Sequence, residues 1–398
     1  MDFVFVSIQP IDIDRNSTSV SIARELSKKH RVLYVNPPLQ RREYWFGTND
    51  QSQPVQQVKN KNIGEINVRK ISPGLWMLDT GRIMESINWL PLTKLVKTLT
   101  FINSKRFAAA IEQAVHLLGF SNYTIVNDKD IFRSFYLKEL LHPEKYVYLN
   151  RDYTLGVPYW KRHGIHMEPE LMHKSDVVVC NSPAFKTQAI QVNPNSHYIG
   201  NGYDDSTFNS SSVFSIPDDM ASIPHPRIAY IGAMVSTRLD KDLMVHVAKS
   251  KPEWNFILLG WEDDVFQNSE LHHLKNIHFL GKKRIVEVPG YLFHCNVAIN
   301  PQLLNAITAG NFPLKIVEYL AMGLPVVASS TQTMIELFSE HVYLSSSPDQ
   351  FVHQLGRALS QDDINKRKLR IAFAKKFTWE KVTKRFLEVV AANEHKED

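Results

Sequence analysis

The stretch Asn311-Phe312-Pro313-Leu314-Lys315-Ile316-Val317-Glu318-Tyr319-Leu320-Ala321-Met322-Gly323-Leu324-Pro325-Val326-Val327-Ala328 decides the reading of this chain. Pro313 suits the first turn of a helix, Gly323 with Pro325 stops it, and Val326 opens a short buried strand. Lys315 and Glu318 lie three apart and share one face of that helix, while Leu314, Val317 and Ala321 occupy another. A helix start presents free N–H groups and the positive end of its dipole, which suits a phosphate. Lys315 adds a mobile cation there, and Glu318, one turn deeper, suits two vicinal hydroxyls of a ribose. Diphosphate and ribose together describe a nucleotide.

Outward from this stretch, short apolar, β-branched runs alternate with longer helical patterns. In the first half they fall at Phe3 to Ile8, Arg31 to Val35, Tyr123 to Asn127, Tyr146 to Asn150, Val177 to Asn181 and His197 to Gly200, with helical spacing at Val20 to Lys29. Runs of this kind are strands buried on both faces of a parallel sheet. Asp204 to Arg227 interrupts the periodicity with Ser210-Ser211-Ser212, Pro217, Pro224 and Pro226, which reads as a linker over 206–226. The alternation then restarts at Arg227 to Gly232, Asn255 to Gly260, Ile277 to Gly281, Val297 to Asn300 and Pro325 to Ser329. The expected architecture is α/β: two Rossmann-like doubly wound domains, 1–205 and 227–377, facing a central cleft that holds the ligand. The tail from Asp362 to Asn393 is helical and basic, with Phe373, Phe377, Trp379, Val382, Phe386, Leu387 and Val390 forming an apolar stripe that must pack on something.

Composition sets the limits. The chain has 398 residues, 43% hydrophobic and 22% charged, which excludes disordered, collagenous and coiled-coil classes. Its net charge of +5 hints at an anionic ligand or membrane surface, whereas a dedicated nucleic-acid binder is more basic. Cys180 and Cys295 have neither zinc nor redox spacing, and no signal peptide or membrane span is read, so a cytoplasmic protein is expected. Trp89 to Phe120 interleaves apolar residues with Lys94, Lys97, Lys105 and Arg106. It reads either as a solvated helix face or as a peripheral contact with the inner face of a membrane.

The residues from Pro313 to Val326 resemble the C-terminal signature of glycosyltransferase family 4, whose members have the GT-B fold and transfer sugar from a nucleotide-sugar donor. Transferases of bacterial surface polysaccharide synthesis are the most similar in flavour. Asn201-Gly202-Tyr203-Asp204 with Phe208 is similar to the motif closing the family's first domain, and Trp379-Glu380 falls where its last helix, here 378–398, crosses back onto that domain. The resemblance implies a retaining, metal-independent transfer to a hydroxyl of a glycan or lipid-linked acceptor, with no cofactor beyond the donor itself. With it, donor contacts are expected at Gly232, Arg238, Gly281, Asn311, Phe312, Pro313, Leu314, Lys315 and Glu318, and catalytic roles at Lys315 and Arg238; Asp152 is a third catalytic candidate, read from its own position where the family usually has a histidine.

The chain also departs from the family. Gly310 replaces the first of two glutamates, so sugar recognition is expected to use the backbone of Ala309 to Phe312. Ala233 stands where an Arg usually clasps the diphosphate, and Arg238 is one residue from the usual Lys position, held by Leu239. The loop after Ile8 lacks Gly-Gly and reads Asp12-Ile13-Asp14-Arg15-Asn16-Ser17-Thr18, whose hydroxyls and N–H groups suit an acceptor or phosphate. Asp152, at the mouth of a strand, suits an acceptor base or sugar-hydroxyl ligand, or else a loop cap. His163, His166 and Glu170 follow it, and with 16 histidines in the chain their proximity carries little. Gly232 allows close backbone approach, while Gly260 is read as a turn. Two rivals stand beside the transferase: a non-catalytic nucleotide-sugar-binding subunit and a sugar-nucleotide 2-epimerase. A dehydrogenase is disfavoured because no Gly-x-Gly-x-x-Gly follows the first strand.

Overall fold

The computed structural model describes residues 1–12, 17–46, 64–308 and 310–392. The chain divides into two compact units, Met1–Ile199 joined by the chain from Thr383 onward, and Gly200–Val382.

The first unit holds ten strands: β1 (Asp2–Ser7), β2 (Arg31–Val35), β3 (Leu39–Gln40), β4 (Asn67–Ser72), β5 (Leu75–Asp79), β6 (Ile83–Met84), β7 (Tyr123–Asp128), β8 (Lys145–Asn150), β9 (Val177–Cys180) and β10 (Ser196–Tyr198). Eight of them form one sheet in the order β10-β9-β8-β7-β1-β2-β5-β4, parallel except for β4, while β3 and β6 pair separately. β1, β7 and β8 are buried along their whole length, as their β-branched and aromatic content requires. β4 and β5 are an addition to the sequence reading: a hairpin turned at Gly74, whose φ of 76° suits glycine. β4 closes the edge with Arg69 and Lys70, so it lacks the apolar run that marks a buried strand.

A buried ion pair organises the C-terminal ends of β7 and β8. Arg151 grips the Asp128 carboxylate with two nitrogens, Nη2 at 2.8 Å, while Ser7 Oγ donates to it at 2.6 Å. Burial alone would raise the Asp128 pKa; the Arg151 charge prevails and holds it below the ordinary carboxylate value.

The second unit holds β11 (Arg227–Ile231), β12 (Asn255–Leu259), β13 (Ile277–Gly281), β14 (Val297–Asn300), β15 (Val326–Ser329) and β16 (Tyr343–Ser345), ordered β13-β12-β11-β14-β15-β16 and all parallel. Successive side chains serve opposite layers. Ala229, Ile257 and Ala298 meet the helix Leu314–Ala321, whereas Ile228, Phe256 and Val297 meet the helices Lys241–Ser250 and Pro348–Ser360.

Two boundaries move. The segment 206–226 belongs to the second unit, because Phe208 and Met220 are buried in its core, and the boundary lies at Ile199/Gly200 instead of residue 205. At the other end, the chain from Thr383 packs into the first unit: Phe386 lies 6.2 Å from the Phe3 ring and Lys145 Nζ donates to the Val390 carbonyl at 2.6 Å. Val382, Phe386 and Val390 of the expected stripe are fully buried, and Leu387 is half-buried.

Arg151→Met would strand the Asp128 carboxylate. It is expected to destabilise the protein by about 3–5 kcal/mol in urea unfolding, because one partner of a buried pair is removed. Since the Asp128 pKa is depressed in the fold, the pair's contribution is complete above about pH 4, the ordinary value, and is lost as pH falls through the folded value. The acid limb of a stability–pH curve should therefore flatten in the variant, and an identical limb would refute the role of the pair.

Candidate functional site

In the second sheet the strand order reverses between β11 and β14, so the loops that leave them diverge and open a crevice at their C-terminal ends. Gly232 follows β11 with a φ of 140°, and a Cβ there would stand 2.7 Å from Lys315 Nζ. Gly260 does more than turn the chain: a Cβ on it would stand 2.0 Å from the Gly232 carbonyl oxygen, so only glycine lets the two backbones pass.

Lys315 is held, which corrects the expectation of a mobile cation. Its Nζ donates to Tyr230 Oη at 2.8 Å and lies 4.1 Å from the centre of that ring, while Tyr230 donates to the Ala233 carbonyl at 3.0 Å. This partner is a phenol and not a carboxylate, and among the described residues no carboxylate pairs with the ammonium beside the glycine. Tyr319 fixes the same helix from its other side by accepting the Ile231 N–H at 2.8 Å, and burial drives its pKa well above the ordinary value, keeping it neutral. Glu318 is buried one turn after the helix start. The sequence assigns no role to either tyrosine, although Tyr319 stands within the signature stretch.

The residues before the helix divide by role. Pro313 is the N-cap itself, one place earlier than the first turn. Phe312 lies 5.7 Å from both Phe338 and Phe377, so its side chain serves the core, and half-buried Leu314 packs on the same cluster. Asn311 Oδ1 is buried without a hydrogen-bond partner among the described residues, and so are both amide atoms of Asn300, which is fully buried at the end of β14. The only signal for Asn300 in the sequence is a polar residue ending the run Val297-Ala298-Ile299 before Pro301. Ala309 lies outside the described residues.

Arg238 is exposed on the loop after β11, and its guanidinium forms no ion pair with a described residue. Its backbone carbonyl accepts the Leu303 N–H at 3.0 Å, and Asn305 Nδ2 donates to the Thr237 carbonyl at 3.0 Å. The loops after β11 and β14 are thus stitched together. Gly281 ends β13 with a φ of 71° and open space on its Cβ side.

In the first unit, Asp152 follows β8 with a φ of 55°, a conformation uncommon for a residue with a side chain, and its half-exposed carboxylate pairs with Arg151 at 2.9 Å. His163 has a structural role: its ring contacts Thr93 Oγ1 at 3.0 Å and the Leu90 carbonyl at 2.9 Å. His166 is exposed, and Glu170 pairs with Lys97. Of the loop at Asp12 to Thr18, residues 13–16 lie outside the described residues, Ser17 donates to Gln9 at 2.6 Å and Thr18 starts a helix.

Comparison with known proteins bears on the fold. Residues 225–361 match the family model of Glycosyl transferases group 1. TuaH of Bacillus subtilis, described as a candidate teichuronic acid biosynthesis glycosyltransferase, is 26% identical over 176 residues, which span 42% of this chain and 44% of that protein. Among solved structures, sucrose-phosphate synthase from Thermosynechococcus elongatus superposes with a TM-score of 0.67 at 15% identity, covering 98% of both chains. HepE from Anabaena, in complex with UDP and glucose, gives 0.64 at 14% identity over 98% of this chain and 99% of that one. The fold is therefore GT-B, with two Rossmann-like units, and residues 225–361 are similar to the group 1 glycosyltransferases; the match spans less than half the length of TuaH.

Tyr319→Phe would leave the Ile231 N–H unpaired inside the protein and should cost about 1–3 kcal/mol. Lys315→Met, which leaves the Tyr230 bond to Ala233 intact, should cost less. Urea unfolding of the two variants checks the order, and the reverse order would show that Lys315 is the structural anchor.

Proposed function

We propose that the protein is a glycosyltransferase that takes a sugar from a nucleoside-diphosphate sugar and passes it to a hydroxyl of a glycan or lipid-linked acceptor in surface polysaccharide synthesis. The observation that carries this reading is the Lys315 ammonium, fixed by Tyr230 at the switch point of the second sheet beside Gly232. A fixed cation in such a crevice stabilises the charge that grows on a departing diphosphate without having to reorganise. Arg238 supplies a second cation and the start of the Leu314–Ala321 helix supplies N–H groups. Buried Glu318 accepts ribose hydroxyls, and the polar atoms of Asn300 and Asn311 await partners that a donor brings.

In the proposed reaction the bond between the anomeric carbon and the β-phosphate oxygen breaks, and its electron pair leaves with the diphosphate. The acceptor oxygen bonds to the same face of that carbon, with retention, and its proton leaves to a phosphate oxygen. No divalent cation takes part in this scheme, so transfer is expected to persist in EDTA. Gly310 favours one rival, a binding subunit without transfer. Acceptor-dependent transfer separates the enzyme from that rival and from a 2-epimerase.

The reading also includes a cytoplasmic protein in peripheral contact with the membrane. No helix among the described residues is long and apolar enough to cross one. Trp89 and Leu92 are 70% and 65% exposed, close in sequence to Lys94, whereas Lys97 and Arg106 are paired with Glu170 and Glu85. Co-sedimentation with anionic liposomes that weakens in Trp89→Ser/Leu92→Ser is expected; no sedimentation would dismiss the contact.

The donor site is tested by thermal shift with UDP, GDP, ADP and CMP, and with NAD as control. One nucleoside diphosphate should raise the melting temperature, by an amount equivalent to about 2.7 kcal/mol at a hundred times its dissociation constant. The shift should shrink in Lys315→Met and vanish in Glu318→Ala. A chain that responds to none of the nucleotides would overturn the proposal.

A further inference from the structure

Cations collect on one flank of the first unit. Arg41, Arg82, Lys105 and Arg106 line an open groove of about 570 Å³, and no acidic residue stands among its described lining residues. The groove lies between the helix Thr93–Leu117, which contributes Lys105 and Arg106, and the chain that enters β6. Gly64 and Gly81 give it a wall without side chains, joined by the Gly64 N–H, which donates to the Gly81 carbonyl at 2.9 Å.

The four cations are not equivalent. Arg41 and Arg106 share one carboxylate: Glu85 accepts Arg41 Nε at 2.6 Å and Nη2 at 2.7 Å, and Arg106 Nη1 at 2.9 Å. These bonds, those of Arg41 first, pull the Glu85 pKa down to about 2, so the three side chains form a braced frame that stays net positive. Arg82 and Lys105 pair with no carboxylate among the described residues. Arg82 is half-buried, yet only its backbone N–H is engaged there, donating to Thr80 Oγ1 at 3.4 Å. Lys105 reaches over the Phe101 ring, 4.7 Å from its centre. Glu65, beside Gly64, and Glu112, on the same helix as Lys105, are exposed and pair with none of the four. The stretch 47–63, which leads into Gly64, holds one acid, Asp50, against Lys59 and Lys61, so its composition adds no net negative charge. A guanidinium carries five donors, and holding it partly out of water among like charges is costly. A bound anion relieves both costs.

The surface beside the groove decides which anion. Phe101 and Ile102, 37% and 45% exposed, stand one turn before Lys105 and Arg106 on the helix, and Leu95, 44% exposed, lies two turns further back on the side of Ile102. A soluble phosphate would leave this apolar strip in water. A phospholipid covers both, with its phosphate among the cations and the start of its acyl region against the strip.

We infer that the groove is a headgroup site for an anionic phospholipid, in which Arg82 and Lys105 grip the phosphate between the braced Arg41 and Arg106. A guanidinium presents its N–H groups in a fixed fork that matches phosphate oxygens, and the lysine adds a point charge. On the peripheral-contact reading, on which this site rests, it turns a diffuse attraction to the membrane into a hold on one headgroup at a time.

Co-sedimentation of the full chain tests the site, with vesicles of phosphatidylcholine alone and of phosphatidylcholine mixed with phosphatidylglycerol. Binding is expected to the mixed vesicles and not to the neutral ones. Arg82→Gln/Lys105→Gln should weaken it about twenty- to thirtyfold, from roughly fivefold per basic residue at an anionic surface. The same loss of charge elsewhere on this unit, in Lys29→Gln/Lys186→Gln, should change it less than about twofold, because screening confines the attraction to charges near the lipid. The melting temperature should hold or rise in the groove variant, since like charges have been removed. Equal losses in the two variants would reveal diffuse attraction, and a lower melting temperature with unchanged binding would reveal a structural role; either result overturns the site. Inorganic phosphate and glycerol 3-phosphate form the soluble arm. If they raise the melting temperature, the groove variant abolishes that rise and no vesicle binds, free phosphate is the occupant and the lipid assignment falls. The nucleotide thermal shift is measured on the same samples and should be unchanged in the groove variant. Binding that falls in Trp89→Ser/Leu92→Ser but not in Arg82→Gln/Lys105→Gln sinks the groove alone. Absence of binding to either vesicle sinks the membrane contact with it, while a surviving nucleotide response leaves the transferase reading standing.

Discussion

A strand cannot turn straight back into a parallel neighbour; the chain must first cross the sheet through a longer connection. Both units of this protein obey that constraint, and as a result every parallel strand of a sheet delivers its C-terminal end to one edge. Loops gather there, and where the strand order reverses they part. In the second unit the parting falls between β11 and β14 and collects Gly232, Asn300 and the start of the Leu314–Ala321 helix. In the first unit it falls between β1 and β7, where Ile8, Asp130 and Phe132 help line a cavity. The two crevices share one topological cause.

Within that frame the specific chemistry depends on close approach. Gly260 lets the end of β12 pass against the Gly232 carbonyl, Gly232 leaves room for Lys315 Nζ, and Tyr230 holds the amine from the strand itself. Tyr319 adds a hydrogen bond from the helix to the last residue of β11. Each contact is short and each partner is fixed by packing, so the cation has a defined place before any ligand arrives. Such preorganisation is what allows a charge to act on a transition state.

Much of this was legible in the sequence. Strands buried on both faces announce themselves as apolar runs, and β2, β13 and β14 fall where those runs begin and end. Lys315 and Gly232 could be found because a helix start, a lysine and a strand-ending glycine form a local pattern. β4 was hidden because an edge strand carries charge where a central one carries valine, although Pro73-Gly74 marked its turn. β16 is three residues long, too short for any period to show. The serine- and proline-rich segment read as a linker because its buried residues, Phe208 and Met220, are widely spaced. Tyr230, Tyr319 and Asn300 escaped for a different reason. Their importance lies in what they touch, or fail to touch, far along the chain, 85 residues from Tyr230 to Lys315 and 88 from Ile231 to Tyr319, and no local pattern encodes it.

The first unit is not continuous in sequence: its β1 packs Phe3 against Phe386. A chain that leaves the ribosome from its N-terminus therefore makes the central strand of that unit well before one of its covering residues, Phe386. Until residues beyond Thr383 emerge, the side chains they will cover stay open to solvent, although the second unit, Gly200–Val382, has by then been synthesised in full. The order of synthesis thus runs against the order of closure, and the growing chain carries an unfinished apolar face until that segment emerges.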